Sequence, residues 1–305
     1  MKKVALVIDN SSYITEEEIV KYKVDKLIPI SFIINGDEYY ENENMTYEDF
    51  FRFLEDKKTD VSTSQPSIEM TKEAWREVLK DNDEIVYILL SSGLSAACNS
   101  AINASHEPEF EGKVFVVNNQ RVSYMNKGDV ITARALIDQG KSAKEVKEYL
   151  EEHKADCGVY VMVDTLRYLK KGGRVTPAAA AIGTLLNIKP ILQIHGGKLD
   201  SYAKTMSTKQ ARVKMINAVR KEVEEKFPEE LKNGQVYIGM AHSFKDKNAE
   251  ELTMYRKEVE EAFPDMSICI YDPLPLFIVC HLGPGGLGIG YIVDRLGAFK
   301  GTLVK

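Results

Sequence analysis

Cysteine is scarce in this chain. Its four residues, Cys98, Cys157, Cys269 and Cys280, stand far apart, none with CxxC spacing and most in apolar surroundings. A disulfide framework is thereby excluded, and reduced, buried thiols in a cytoplasmic protein are expected. Long apolar runs are absent too. Nothing approaches the ~20 residues of a membrane helix, so no stable membrane insertion is expected. Met1-Lys2-Lys3-Val4 opens a short apolar run that ends at Asp9 with no small-residue cleavage site, which reads as a first strand and not a signal peptide. There is no basic stripe with interleaved aromatics, and the formal net charge is −6, so nucleic acid is not an expected partner. The five histidines lack HxxxH or any other ligand spacing, which argues against a metal site. His106, His153 and His242 read as surface or structural residues.

What is present is the pattern of an α/β protein. The 305 residues suffice for two domains. Strand and helix alternate through the first half: a strand at Val4–Ile8, a helix opened by Thr15 and Glu18 as a capping box, and a strand region at Leu27–Ile34. Asn35-Gly36 turns into a hairpin, and Thr46 opens a helix with Phe50, Phe53 and Leu54 on one face. Val61–Ser67 reads as a hydroxyl-rich loop with a cap, ahead of a helix that runs from Ser67 or Thr71 to Leu79. Strands at Ile85–Leu90 and Lys113–Asn118 follow, then helices at Asp129–Gln139 and after Ser142. This order predicts a parallel sheet with helices on both faces, whose ligands sit at the carboxyl ends of the strands.

Near Asp156 the pattern changes. A strand at Cys157–Val163, a helix Thr165–Lys171 capped by Asp164, a small-residue helix Ala178–Leu186 and a hairpin turning at His195-Gly196-Gly197-Lys198 are expected. Long helices at Thr208–Phe227 and Lys245–Phe263 flank a strand at Gln235–Ala241, and Ser267–Tyr271 is a further strand. Phe277–His281 reads as an apolar strand before the glycine run Gly283–Gly290, with a last short helix near Asp294. Two domains are therefore expected, 1–155 and 156–305, the second a mixed α/β domain.

Ile85–Ser100 carries the chemistry: a strand, the turn Ser91-Ser92-Gly93-Leu94-Ser95, and a helix start rich in alanine. Hydroxyls and free N–H groups at a positive helix end suit an anion. Each serine taken alone is a helix cap. The coincidence with a second cluster, Thr63-Ser64-Gln65-Pro66-Ser67, favours a carboxylate site instead. Gly93-Leu94-Ser95-Ala96-Ala97 also approaches the GxSxG nucleophile elbow, with Asp272 and His281 following in triad order, so a serine esterase is the rival reading. Gly283 to Gly288 matches GxGxxG, but too little chain follows for a dinucleotide fold, and a close backbone approach explains it better. His281 and Arg174 each have an ordinary structural explanation, as a core histidine and as a cation at a helix end. Ala178–Leu192, with Ile182, Leu185, Leu186, Ile188, Ile191 and Leu192, suits core packing or an apolar tunnel equally.

Several stretches together resemble the bacterial DegV family of fatty-acid-binding proteins, the lipid-presenting subunits of fatty acid kinase. They are Val7-Ile8-Asp9, Thr63–Ser67, Ser91–Ser95, Leu166–Val175, Ile188–Leu192 and His281–Gly288, in order over nearly the whole length. The resemblance implies a DegV-like fold and a long-chain fatty acid in an interdomain tunnel. In it Thr63 and Ser95 hold the carboxylate and His281 lies at the head group. Arg174, Ser64, Ser92 and Gly93 lie near it or face the kinase. It further implies that the protein is not an enzyme, needs no cofactor, and leaves ATP and metal to the kinase partner. Another anionic lipid is the alternative ligand. The chain departs from the family pattern at Ala96-Ala97-Cys98, where Gly-Thr-Tyr is usual, and at Leu282, where threonine is usual. Asn10 stands for a common serine, and Ala203-Lys204-Thr205 lacks the frequent arginine.

Overall fold

The computed structural model describes residues 2–56, 58–182, 188–195, 198–246 and 248–300. In chain order the elements are β1 (Val4–Asp9), α1 (Glu16–Lys21), β2 (Lys26–Ile28), β3 (Ser31–Ile34), β4 (Asp37–Tyr39), α2 (Tyr47–Glu55), β5 (Val61–Ser64), α3 (Ile68–Val78), β6 (Glu84–Ile88), α4 (Ala97–Ser105), β7 (Val114–Val117), α5 (Tyr124–Asp138) and α6 (Ala143–Glu152). They continue as β8 (Cys157–Met162), α7 (Arg167–Gly172), α8 (Pro177–Ile182), β9 (Lys189–His195), β10 (Lys198–Thr205), α9 (Thr208–Lys226), α10 (Pro228–Lys232), β11 (Val236–His242), α11 (Glu250–Ala262), β12 (Ile268–Pro273), α12 (Leu276–Leu282) and β13 (Leu287–Val293).

The chain forms two compact units, Met1–Ser31 with Thr63–Ala155, and Phe32–Ser62 with Asp156–Lys305. The two contiguous domains expected from the sequence thus differ from the structure in one respect: residues 32–62 group with the second unit. The reason is non-local. The segment reaches residues some two hundred positions on, where Glu41 accepts from Leu276 N and Glu55, at the end of α2, pairs with Lys245.

In the first unit, β2-β1-β6-β7 form an all-parallel sheet. Residues alternate across it. Ala5, Val7, Ile85, Tyr87, Val114 and Val116 join a core with Trp75 of α3 and Ala101 and Ala104 of α4. The opposite face meets α5 and α6. Thr15–Glu18 and Ser142–Glu145 are capping boxes, so α1 and α6 start where local chemistry dictates. Asn10–Ser12 is one turn of 3-10 helix that Asp9 caps.

In the second unit a six-stranded mixed sheet runs β10-β9-β8-β13-β11-β12. Met162, Ile191, Ile238 and Ile289 pack with Met215 and Val219 of α9 and Tyr255 of α11. Each such buried side chain contributes roughly 1.5–3 kcal/mol. Arg212 on α9 is buried and paired with Glu258 of α11 at 2.7 Å.

Several local expectations are corrected. Leu27–Ile34 divides between β2 and β3, which lie in different sheets. Val61–Ser64 is a strand, β5, paired beside β3. On α2 the buried residues are Phe50, Phe51 and Leu54, whereas Phe53 is 37 % exposed. Asp164 does not cap α7; it pairs with Lys189 at 2.6 Å, and Thr165 Oγ accepts from Arg167 N at 3.2 Å. Phe277–His281 lies in a helix, α12. It is apolar all round because it is buried, and periodicity alone cannot separate such a helix from a strand. The second of the two long helices, α11, starts at Glu250 and not at Lys245. No helix stands near Asp294 among the described residues; its carboxylate accepts from Ala298 N and Phe299 N and organises a turn. Residues 183–187 of the expected apolar stretch, and Gly196-Gly197 of the expected hairpin turn, lie outside the described residues.

Candidate functional site

Two sets of loops carry the candidate residues, one in each unit. In the first unit, β2 lies on one side of β1 while β6 and β7 lie on the other. The crevice outside the carboxyl ends of β1 and β6 is therefore a topological switch point, where open α/β sheets bind ligands. The loops there are Asp9–Ser12 and Leu89–Ser95.

Both are pinned from beneath by buried polar groups. The Asp9 carboxylate, 2 % exposed, accepts from Ser11 N at 3.0 Å, Leu90 N at 2.8 Å and the Ser11 hydroxyl. Burial raises its carboxyl to about 6, against those hydrogen bonds, which favour the ionised form. Asn126 Nδ2 donates to Ser11 Oγ at 2.8 Å and to Leu89 O at 3.3 Å. Asn119 links Asn126 to Asp129, which also takes the Arg121 guanidinium. Ser91 N donates to Arg121 O at 3.0 Å. This network joins both switch-point loops to the start of α5.

On that base the second loop is built by its own serines. Ser91 Oγ accepts from Gly93 N at 3.1 Å, and Ser92 and Gly93 form the half-buried turn above. Ser95 N donates to Ser91 O at 3.1 Å, and Ser95 Oγ accepts from Ala97 N at 3.2 Å, at the start of α4. Ala96 at the N-cap offers no side-chain cap, so Ser95 is the hydroxyl at this helix start. Thr63 and Ser64 end β5, both half-buried. Ser67 is an ordinary cap of α3, accepting from Met70 N at 3.1 Å. Cys98, where the chain leaves the family pattern, is buried, and its thiol is pushed up to about 12, chiefly by desolvation.

In the second unit, α7 and α12 pack together. His281, in the last turn of α12, lies against Gly172: a Cβ there would fall 2.3 Å from His281 Nδ1. Tyr168 of α7 lies likewise on Gly283, whose φ of +80 and whose lack of a side chain both require glycine. Arg174 donates through Nη1 to Gly172 O. Desolvation, with the Arg174 cation second, lowers the His281 imidazole to about 4, so it is neutral near pH 7. Gly283–Gly286 wraps Ser243, which is fully buried. Ser243 Oγ donates to Gly283 O at 2.7 Å and accepts from Gly286 N at 2.8 Å. Its own N donates to Gly286 O at 3.0 Å, and its carbonyl accepts from Gly285 N at 2.8 Å. Gly288 and Gly290 then run inside β13, so the GxGxxG match is backbone packing, not a nucleotide loop.

The expected residues thus divide. Thr63, Ser64, Ser92, Gly93 and Ser95 belong to the first unit, Arg174 and His281 to the second. The esterase rival loses its geometry. Leu89–Leu94 separates Ser95 from β6, whereas an elbow serine follows its strand directly. The charge acting on His281 is a guanidinium, the opposite sign from the carboxylate that orients a triad histidine. Ile191 sits in the sheet core, so that end of the apolar stretch is packing. Sequence reasoning missed Asn119, Arg121, Asn126, Asp129, Ser243 and Glu41. The signal available for Ser243 was its place directly after a strand end. Among the described residues no group of three or more His, Cys, Asp or Glu is placed to hold a metal, and no helix is long and apolar enough to cross a membrane.

Comparison with known proteins gives one answer. The family model described as "Uncharacterised protein, DegV family" matches residues 3–294. Two DegV domain-containing proteins of Staphylococcus aureus are 29% identical over 300 residues and 30% identical over 291 residues. These alignments cover 96% and 95% of this chain and 99% and 98% of those proteins. Among solved structures, a DegV family protein from Thermus thermophilus, described by its fatty acid binding, is 28% identical with a TM-score of 0.84, covering 95% of this chain and 99% of that one. DegV from Bacillus subtilis, described as a fatty acid binding protein, is 26% identical with a TM-score of 0.79, covering 96% and 100%. A stearic-acid-binding protein from Eubacterium ventriosum, 21% identical with a TM-score of 0.84, shares the fold. This chain belongs to the DegV family.

Proposed function

We propose that this protein binds a long-chain fatty acid, with its carboxylate held by Thr63 and Ser95 and its head group attended by His281 and Arg174. In the same reading Ser64, Ser92 and Gly93 line the approach to that head group. The observation that carries it is the half-buried Ser95 hydroxyl at the start of α4, outside the carboxyl end of β6, in a fold whose relatives are described as fatty-acid-binding. The first unit supplies the carboxylate loops, and the second the tunnel and the glycine-rich loop.

The energetics support a retained lipid. Burying ~15 methylenes at about 0.8 kcal/mol each gives roughly 12 kcal/mol before the entropy of association. An ionised head group is costly to desolvate, so hydroxyl donors and a cation are required beside it. His281 held neutral leaves Arg174 to offset that charge. The buried, unreactive Cys98 behind Ser95 offers no nucleophile. The protein performs no chemistry of its own here; it presents the carboxylate to a cytoplasmic kinase partner, which supplies ATP and metal and forms an acyl phosphate.

The experiment is fatty-acid affinity in delipidated wild type and in T63A, S95A and the double variant. Each lost charge-assisted bond weakens binding by roughly 1.5–3 kcal/mol. Unchanged affinity in the double variant sinks the carboxylate assignment.

A further inference from the structure

His281 occupies its place because α12 is fixed at both ends, and one end is held by a residue remote in sequence. The helix begins at Leu276 with Pro275 at its N-cap, which supplies no side-chain cap. Pro275 O takes the N–H groups of Ile278 and Val279, which leaves the earlier ones to other partners. Leu276 N, in a fully buried residue, donates to Glu41 Oε2 at 2.9 Å. The partner is a half-buried carboxylate on segment 32–62, and negative charge is favourable at a helix start. The other end of α12 runs into Gly283–Gly286, clamped by Ser243. Segment 32–62 also reaches the surroundings of both constraints, through Glu55 with Lys245 at 2.9 Å and Asp60 with Lys171. Those two pairs are exposed and contribute little. The Glu41 bond is the one that sets the helix.

We propose that Glu41 is a positioning residue for His281: by accepting from Leu276 N it fixes the start of α12 and so seats the imidazole over Gly172. Its importance for ligand binding rests on the reading of His281 as a head-group residue. Its effect on the imidazole does not.

The test uses the full chain, freed of lipid, with 13C-labelled histidine rings and the His281 signal assigned from H281Q. Wild-type His281 titrates near 4, with Arg174 as the charged group facing it. Glu41→Ala removes the acceptor, and the imidazole gains water and titrates upward by about one unit or more. Glu41→Gln keeps a carbonyl acceptor while losing the charge, and stays within a few tenths of wild type. Glu41→Asp keeps the charge but falls short of Leu276 N, and follows the alanine variant if that variant does not fold. Oleate affinity falls about fivefold or more in the alanine or aspartate variant, with glutamine restoring it. A folded alanine or aspartate variant whose His281 titrates as in wild type overturns the proposal. A shifted titration with unchanged oleate affinity upholds the positioning role and removes His281 from the head group.

Discussion

Replacing Ser243 with alanine removes a single oxygen from the fully buried centre of the glycine-rich loop. That oxygen donates to Gly283 O at 2.7 Å and accepts from Gly286 N at 2.8 Å. Neither partner finds water in exchange, since both glycines are buried. An orphaned buried polar group costs about 1–3 kcal/mol, and two of them set the range at about 2–5 kcal/mol, eased as the loop relaxes. The two backbone bonds of residue 243 survive the change, to Gly286 O and from Gly285 N, so the loop loosens without leaving β11. For a chain of this size each kcal/mol lowers Tm by about 2–4 °C, so a fall of ~4–20 °C is expected. Differential scanning calorimetry, with urea unfolding as a check on the slope, measures it. A shift below about 0.5 kcal/mol with an unchanged m value refutes the reasoning.

Three further outcomes follow from the same geometry. The Asp9 carboxyl is raised from 3.8 to about 6 in the folded state, so the folded protein binds that proton more readily and gains stability as pH falls from 6 toward 4. At 1.36 kcal/mol per unit the wild type gains about 2 kcal/mol over D9N between pH 7 and pH 4, and parallel stability profiles contradict this. His281 cancels in that comparison, being present in both proteins. G172A places a Cβ 2.3 Å from His281 Nδ1 and 2.9 Å from its Cε1, so the ring must turn aside. Thermal unfolding should show a loss of about 1–3 kcal/mol, and an unmoved His281 ring signal would contradict it. Under the proposed presentation to a kinase, H281A is expected to impair acyl phosphate formation more than fatty-acid affinity; equal loss of both removes the distinction.

How much of this was legible in the sequence depended on range. Thr15 with Glu18 and Ser142 with Glu145 are caps written within four residues, and both helices start where their caps predict, while of the two starts open for α3, Ser67 or Thr71, Ser67 is the cap. The Ile85–Leu90 run and the turn after it gave β6 and the Ser91–Ser95 loop because strand, turn and helix start are contiguous. What was hidden is non-local. Nothing near Glu41 signals a partner 235 positions away, and the same blindness placed segment 32–62 in the wrong unit. Asn126 and Ser11 stand 115 positions apart, so the buried network under the switch-point loops has no local signature. Phe277–His281 reads as a strand, yet lies in α12, because burial on every side erases the amphipathic period. β13 hid behind its glycines, which read as a loop but serve a central strand, where a Cβ added at Gly288 would meet Ala241 O at 3.4 Å.

The central claim is that the protein carries a fatty acid. Protein produced in bacteria and purified without added lipid, then analysed by native and denaturing mass spectrometry, tests it most directly. A native mass above that of the 305-residue chain by one long-chain fatty acid, released on denaturation in close to one-to-one amount, is expected. Folded protein that carries no acyl chain, and that fails to take up oleate afterwards, contradicts it.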